Sequence, residues 1–249
     1  MVDGTSRTTA QPPSRLVKDE ELTGHSVVAN STMNRERVLA GVNSYTRELG
    51  FAPTEFLSSD DHGLAPSWLD LCSGEGLALR EAAQQLPRAA ITGVDLVGPL
   101  LRTALPEGLE LITADLGRWS PRRRYDLVTC VHGLHYIGDR LALLERAATW
   151  LTGSGLLVAH FDPSTLRRPD GSDASRPVLA ALRAAGFHYS ARHHRLSLQG
   201  GRPITLPFTY LGADPQAGPN YTGQPAVASY YGPRAVPQVA AVGPAHLDP

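Results

Sequence analysis

The sequence predicts an α/β protein: a doubly wound sheet, mostly parallel, with helices on both faces and an antiparallel hairpin toward the C-terminus. Three observations predict it. Short apolar runs alternate with helix-forming stretches from Trp68 to Phe161. Successive runs stop at an acid, in Trp68-Leu69-Asp70, Ala90 to Asp95 and Leu109 to Asp115. Farther on, Tyr189 to Leu198 and Ile204 to Leu211 flank the Gly-Gly of residues 199–203, as in a hairpin.

Residues 1–28 are polar, contain Pro12-Pro13 and show no period, so a flexible N-terminal segment is expected. A main domain is expected over 29–211. Val38, Leu39, Val42, Tyr45 and Leu49 recur at helical spacing, which predicts a helix over 31–49 that Asn30 or Ser31 caps and Gly50 ends. Trp68 to Cys72 reads as the first strand, Ser73-Gly74-Glu75-Gly76 as a tight loop, and Leu77 to Leu86 as a helix. Strands follow at Ala90 to Leu96, Leu109 to Asp115, Tyr125 to Val131 and Gly155 to Phe161. A short helix broken by Pro99 is expected after the second strand, and further helices at Asp139 to Leu151 and Pro177 to Phe187. From 212 to 249 the chain is rich in Pro, Gly and Ala, so an irregular tail is expected, with embedded tyrosines that pack on the domain.

Composition narrows the function. A chain of 249 residues can bury one substantial core, and 42% hydrophobic with 19% charged residues is the balance of a globular domain. The net charge of -1 supplies no bulk attraction for nucleic acid or an anionic membrane, and Arg122-Arg123-Arg124 alone is a solvated loop. No run approaches the ~20 apolar residues of a membrane span, and no signal peptide is evident. Cys72 and Cys130 lie in or beside predicted buried strands, which suits reduced thiols and a cytoplasmic location.

The chemistry centres on the glycine loop. Lacking Cβ atoms, Gly74 and Gly76 let main-chain N–H groups approach a ligand. A dinucleotide loop wants a third small residue where this chain has Leu79, and Asp70 just before the loop suits a cationic ligand better than a phosphate. In order, Asp70-x-x-x-Gly74-x-Gly76, Asp95, Asp115 and Tyr125-Asp-Leu-Val resemble the motif series of class I S-adenosylmethionine-dependent methyltransferases, which have a Rossmann-like fold. The resemblance runs over residues 68–161 by motif and to about 211 by element order. It implies S-adenosyl-L-methionine as cofactor, with Asp70, Ser73, Gly74 and Gly76 at its methionine end. By the same resemblance Asp95 meets the ribose hydroxyls, Leu96 the adenine face, Asp115 and the Leu116 amide the adenine edge, and Val131 the end of the fourth strand.

That strand runs into Val131-His132-Gly133-Leu134-His135, and the family often carries a histidine-bearing turn there, facing the transferable methyl. His135 is the first candidate for a base and His132 the second, since imidazole suits proton transfer near neutral pH. His160 and Asp162 are weaker candidates for the acceptor pocket. His193-His194, in a predicted strand, send their rings to opposite faces, a poor chelate. No Asn/Asp-Pro-Pro-Tyr sequence ends the fourth strand, and no catechol-type acid set is evident, so no metal is expected. The expected acceptor is a small molecule or short peptide of specialised metabolism, with the 31–49 helix and the tyrosine-bearing tail expected to form a lid over the cofactor. A cofactor-binding protein without transfer, and a non-methylating reaction on the same fold, are the alternatives.

Overall fold

A computed structural model of the chain describes residues 16–28, 36–59, 62–63, 65–99 and 103–234. The predicted α/β architecture is present. Its centre is β1 (Ser67–Leu71), buried along its whole length, with Trp68 and Leu69 fully enclosed. The chain leaves it through the glycine loop into α4 (Leu77–Gln85), whose Ala78, Leu79, Ala82 and Ala83 turn inward. Parallel strands β2 (Ala90–Asp95) and β3 (Leu109–Thr113) extend the sheet on one side. On the other lie β4 (Tyr125–Cys130) and β5 (Leu151–His160), with α5 (Arg140–Thr149) between them. Asp139 caps α5, accepting from the Ala142 N–H at 3.1 Å.

The seven-stranded order is β3-β2-β1-β4-β5-β8-β7, so the direction of winding reverses between β1 and β4. Open α/β sheets bind ligands beyond the strand carboxyl ends at such a point. α6 (Ser175–Ala184) leads into β7 (His188–Ser190), and β8 (Arg195–Gln199) runs antiparallel between β5 and β7.

Several elements differ from the sequence expectation. The predicted 31–49 helix is only α2 (Tyr45–Leu49), capped by Ser44; Val38 bridges Ser44, and Val42 is 82% exposed. The caps expected at Asn30 or Ser31 lie outside the described residues. No helix follows β2 among the described residues. The hairpin exists, but both of its strands lie within 188–199; a Cβ on Gly201 would collide with the Leu151 carbonyl, so the Gly-Gly segment is a close backbone approach. His193 and His194 fall in the turn, not a strand.

A second, three-stranded sheet takes up the end of the predicted 204–211 strand, which pairs here and not with the 188–199 hairpin, together with part of the tail expected to be irregular. β9 (Phe208–Asp214) and β10 (Ala228–Pro233) pair antiparallel, and the short β6 (Leu166–Arg167) joins β10. Tyr230 and Tyr231 are buried there, consistent with tyrosines that pack on the domain. Before the sheet, Val17 bridges Ala213, α1 (Asp19–Leu22) follows, and Tyr210 donates to Asp19 at 2.8 Å. Short α3 (Pro53–Leu57) closes the face beside α4.

Candidate functional site

A cavity of about 650 Å³ opens over the carboxyl ends of β1, β2 and β4, within the ~300–1,000 Å³ usual for small-molecule sites. Ser73 and Gly74 line it from the loop after β1, Asp95 and Leu96 from the end of β2, and Asp115 and Leu116 from beyond β3. Val131 and His132 line it from the end of β4. The loop is shaped by left-handed Gly74 and Gly76, at φ 61° and 70°. A Cβ on Gly76 would lie 2.9 Å from Leu111 Cδ2, so a side chain there would push on β3.

Asp95 holds this region together. One carboxylate oxygen accepts from the Gly74 N–H and the other from the Val97 N–H, each at 2.9 Å. The carboxylate thereby ties the glycine loop to the strand beside it. Asp115 accepts from the Gly117 N–H at 2.8 Å.

Five sequence candidates are not on the cavity wall: Asp70, Gly76, His135 and the weaker pair His160 and Asp162. Asp70 is fully buried, and its oxygens accept from Tyr45 at 2.6 Å and Thr129 at 2.5 Å. Burial outweighs those bonds and pushes its pKa up to about 7. It supports the loop from below rather than meeting a ligand. Gly76 sits behind the loop, with its positive φ and close approach to Leu111. His135, the first candidate for a base, is wholly buried, and neither ring nitrogen has a hydrogen-bond partner. Burial holds it well below the ordinary histidine pKa. The cavity-facing histidine is His132.

His132 stands in a positive-φ position at the strand end, φ 57°, and its Nε2 lies 2.9 Å from Glu48 Oε2 on α2. A carboxylate can only accept, so Nε2 carries the proton and Nδ1 is left as the acceptor. Nδ1 faces the Tyr221 hydroxyl at 3.2 Å. The His132 bond is the main reason the Glu48 pKa falls to about 2. His160, ending β5, stacks on His132 with centroids 4.0 Å apart. Burial, and then the neighbouring His132, lower the His160 pKa to about 2, so this ring is neutral. Asp162 accepts from the Tyr221 N–H at 2.9 Å.

Glu48, His132 and His160 also form a possible metal-ligating group, their donor atoms all within 4.8 Å of one another. The two rings are nearly parallel, at 10°, so their lone pairs run side by side instead of converging. Holding an ion would require one ring to turn.

Much of the remaining wall comes from the N-terminal segment and from the two segments expected to form a lid. Asp19, Leu22, Thr23 and Val28 come from the N-terminal segment, Arg37 and Tyr45 from around α2, and Asn220, Thr222 and Gln224 from the segment between β9 and β10. Of these only Tyr45 falls in a sequence period, and none in a site motif. The acids Asp19, Glu48, Asp95 and Asp115 face Arg37 as the one lysine or arginine on the wall among the described residues. Such a cavity suits a ligand of net positive charge without phosphate.

Comparison with known proteins agrees with this chemistry. Trans-aconitate 2-methyltransferase of Pseudomonas aeruginosa is 35% identical over 148 residues, covering 56% of this chain and 54% of that protein. The protein of that name from Mycobacterium marinum is 27% identical over 150 residues, 60% and 54% of the two chains. The chain thus spans about half the length of the curated relatives it matches. A plantazolicin methyltransferase solved with SAH superimposes at a TM-score of 0.34 and 19% identity, over 52% of this chain and 46% of that one. The family model described as "Methyltransferase domain" matches residues 42–197, and with its motifs in order along a sheet of this topology the chain belongs to the class I S-adenosylmethionine-dependent methyltransferases.

Proposed function

We propose that the protein transfers the methyl group of S-adenosylmethionine to a small organic molecule or short peptide, in a reaction of specialised metabolism. The observation that carries this reading is the ordered set of Gly74, Asp95 and Asp115 around one acid-lined cavity at the switch point. The relatives' name supports a small organic acceptor.

Each wall residue fits a part of the cofactor. Ser73 and the Gly74 backbone meet its methionine end, supported from beneath by Asp70. Asp95 accepts from the ribose hydroxyls, Leu96 lies against adenine, Asp115 and the Leu116 amide meet the adenine edge, and Val131 closes the wall toward the methyl. When bound, the cofactor supplies a methyl group on a cationic sulfur, already reactive toward a nucleophile held in line. The chain's own work is then to orient the acceptor, exclude water and take a proton. His132 Nδ1 takes the proton, while Glu48 holds the ring's tautomer and orientation and stabilises the imidazolium that forms.

Isothermal titration calorimetry with S-adenosylmethionine tests the reading. Saturable one-to-one binding by the folded protein is expected, and no binding sinks the proposal.

A further inference from the structure

We propose that the methyl acceptor is a phenolic hydroxyl, and that the side chain of Tyr221 holds the acceptor's place in the ligand-free protein. This rests on the methyltransferase reading above and adds a substrate class to it.

Tyr221 makes the contacts that a bound phenol would make. Its ring lies face to face with His194, with centroids 3.9 Å apart and planes 6° from parallel. The edge of His135 closes the slot at 5.4 Å and 79°. Its hydroxyl sits 3.2 Å from Nδ1 of His132, the ring atom that Glu48 leaves free to accept. The slot therefore offers a flat aromatic face and, at its end, a hydrogen-bond acceptor backed by a carboxylate. His132, at the end of the slot, also lines the cavity that holds Gly74 and Asp95, as do Asn220 and Thr222 on either side of Tyr221, so the slot adjoins that cavity.

The Tyr221 backbone is tied down while the residue remains 36% exposed. Its N–H binds Asp162, and the neighbouring Asn220 side chain accepts from Thr222 at 2.8 Å. Rotation about the side-chain torsions vacates the slot without moving the loop. Asn220, Tyr221 and Thr222 lie beyond residues 42–197 that the family model matches, whereas His132, His135 and His194, which form the slot, lie within them.

The charges favour a phenol over a carboxylate. Glu48 and Asp162 flank the slot, and Arg37, on the same wall, already has a partner. A carboxylate acceptor would face two acids, and being ionised it has no use for a histidine base. A phenol brings a proton that must leave. The phenol O–H bond breaks, its proton bonds to His132 Nδ1, and the oxygen uses its electron pair to bond the methyl carbon. The carbon–sulfur pair stays on sulfur, leaving a neutral methyl ether, a neutral thioether and an imidazolium paired with Glu48.

The test uses 4-nitrophenol, whose visible absorbance reports its ionisation, titrated into protein saturated with S-adenosylhomocysteine. Calorimetry reads binding independently of turnover. Expected are saturable binding and a rise in phenolate absorbance near neutral pH that His132→Gln abolishes. Tyr221→Ala should bind the probe roughly tenfold tighter, because the slot no longer has to be vacated. Tyr221→Phe, which keeps the ring in place, should tighten binding less. Weaker binding by Tyr221→Ala overturns the proposal, since Tyr221 would then be a wall of the site. Binding of succinate but not 4-nitrophenol, or of neither, also overturns it while leaving the methyltransferase reading intact. Failure to bind S-adenosylhomocysteine strikes that earlier reading instead.

Discussion

Tyr45, on the cavity wall, donates its phenolic hydroxyl across 2.6 Å to Asp70, which lies beneath the glycine loop and off that wall. Asp70 thus behaves as a foundation, with a pH signature of its own. Its folded-state pKa rises from 3.8 to about 7 through burial, so the folded chain binds this proton more tightly than the unfolded chain. The associated stability is fully present below about pH 3.8 and is lost as pH rises through about 7. Asp70→Asn keeps the shape without the charge. Thermal melting of both proteins should show the difference in Tm moving in the variant's favour across that window, and a constant difference would refute the assignment.

Asp95→Ala removes the acceptor for two loop N–H groups as well as the proposed ribose contact. S-adenosylmethionine affinity should fall at least about tenfold, or about 1.4 kcal/mol, by calorimetry. An unchanged Kd rules out the ribose role.

His135 presents the opposite case, a buried ring with two unpartnered nitrogens. Leaving a buried polar group unpaired costs about 1–3 kcal/mol. His135→Leu should therefore be as stable as the parent or more so by roughly 1 kcal/mol in urea unfolding. A large loss of stability would show that the ring has a polar partner after all.

Gly133→Ala tests how the β4 turn supports the cofactor loop. A Cβ there would overlap Cys72 and fall 2.9 Å from Cys130 Sγ. Overpacking of this kind costs about 1–3 kcal/mol. Because Cys72 begins the loop, cofactor affinity should fall along with Tm; lost stability with unchanged affinity would uncouple the two.

The parallel core was legible because its signals are local. An apolar run ending at Asp70, Asp95 or Asp115 announces both a strand and its ligand-facing end. The helix near α2 was overextended because Val38, Leu39 and Val42 continue its spacing, yet the positive φ of Gly41 and the Val38–Ser44 bridge turn the chain back on itself. Gly200-Gly201 looks the same in sequence whether it makes a hairpin turn or passes close to the Leu151 carbonyl. Periodicity cannot separate those two uses. Ser73, Gly74, Asp95, Asp115 and their neighbours, carried by motifs, line the cavity as expected. The grouping of Glu48, His132, Tyr221 and His194 was not legible, since these residues come from distant segments and meet only through tertiary packing. Choosing between His132 and His135 required knowing which side of the turn faces the cavity.

The pairing of Val17 with Ala213 has a consequence for biogenesis. The contacts that cover the cavity from Lys18 to Leu211 and from Asp19 to Tyr210 join residues 193 and 191 positions apart. A chain emerging from the ribosome can complete the seven-stranded sheet, with its glycine loop, before β9 and β10 have been made. Until they arrive the cavity lacks its lining from Asn220, Thr222 and Gln224, and the N-terminal segment lacks its bridge to Ala213 and its bond from Tyr210. The growing chain is therefore expected to pass through a stage in which the sheet is folded and methyl transfer has not yet become possible.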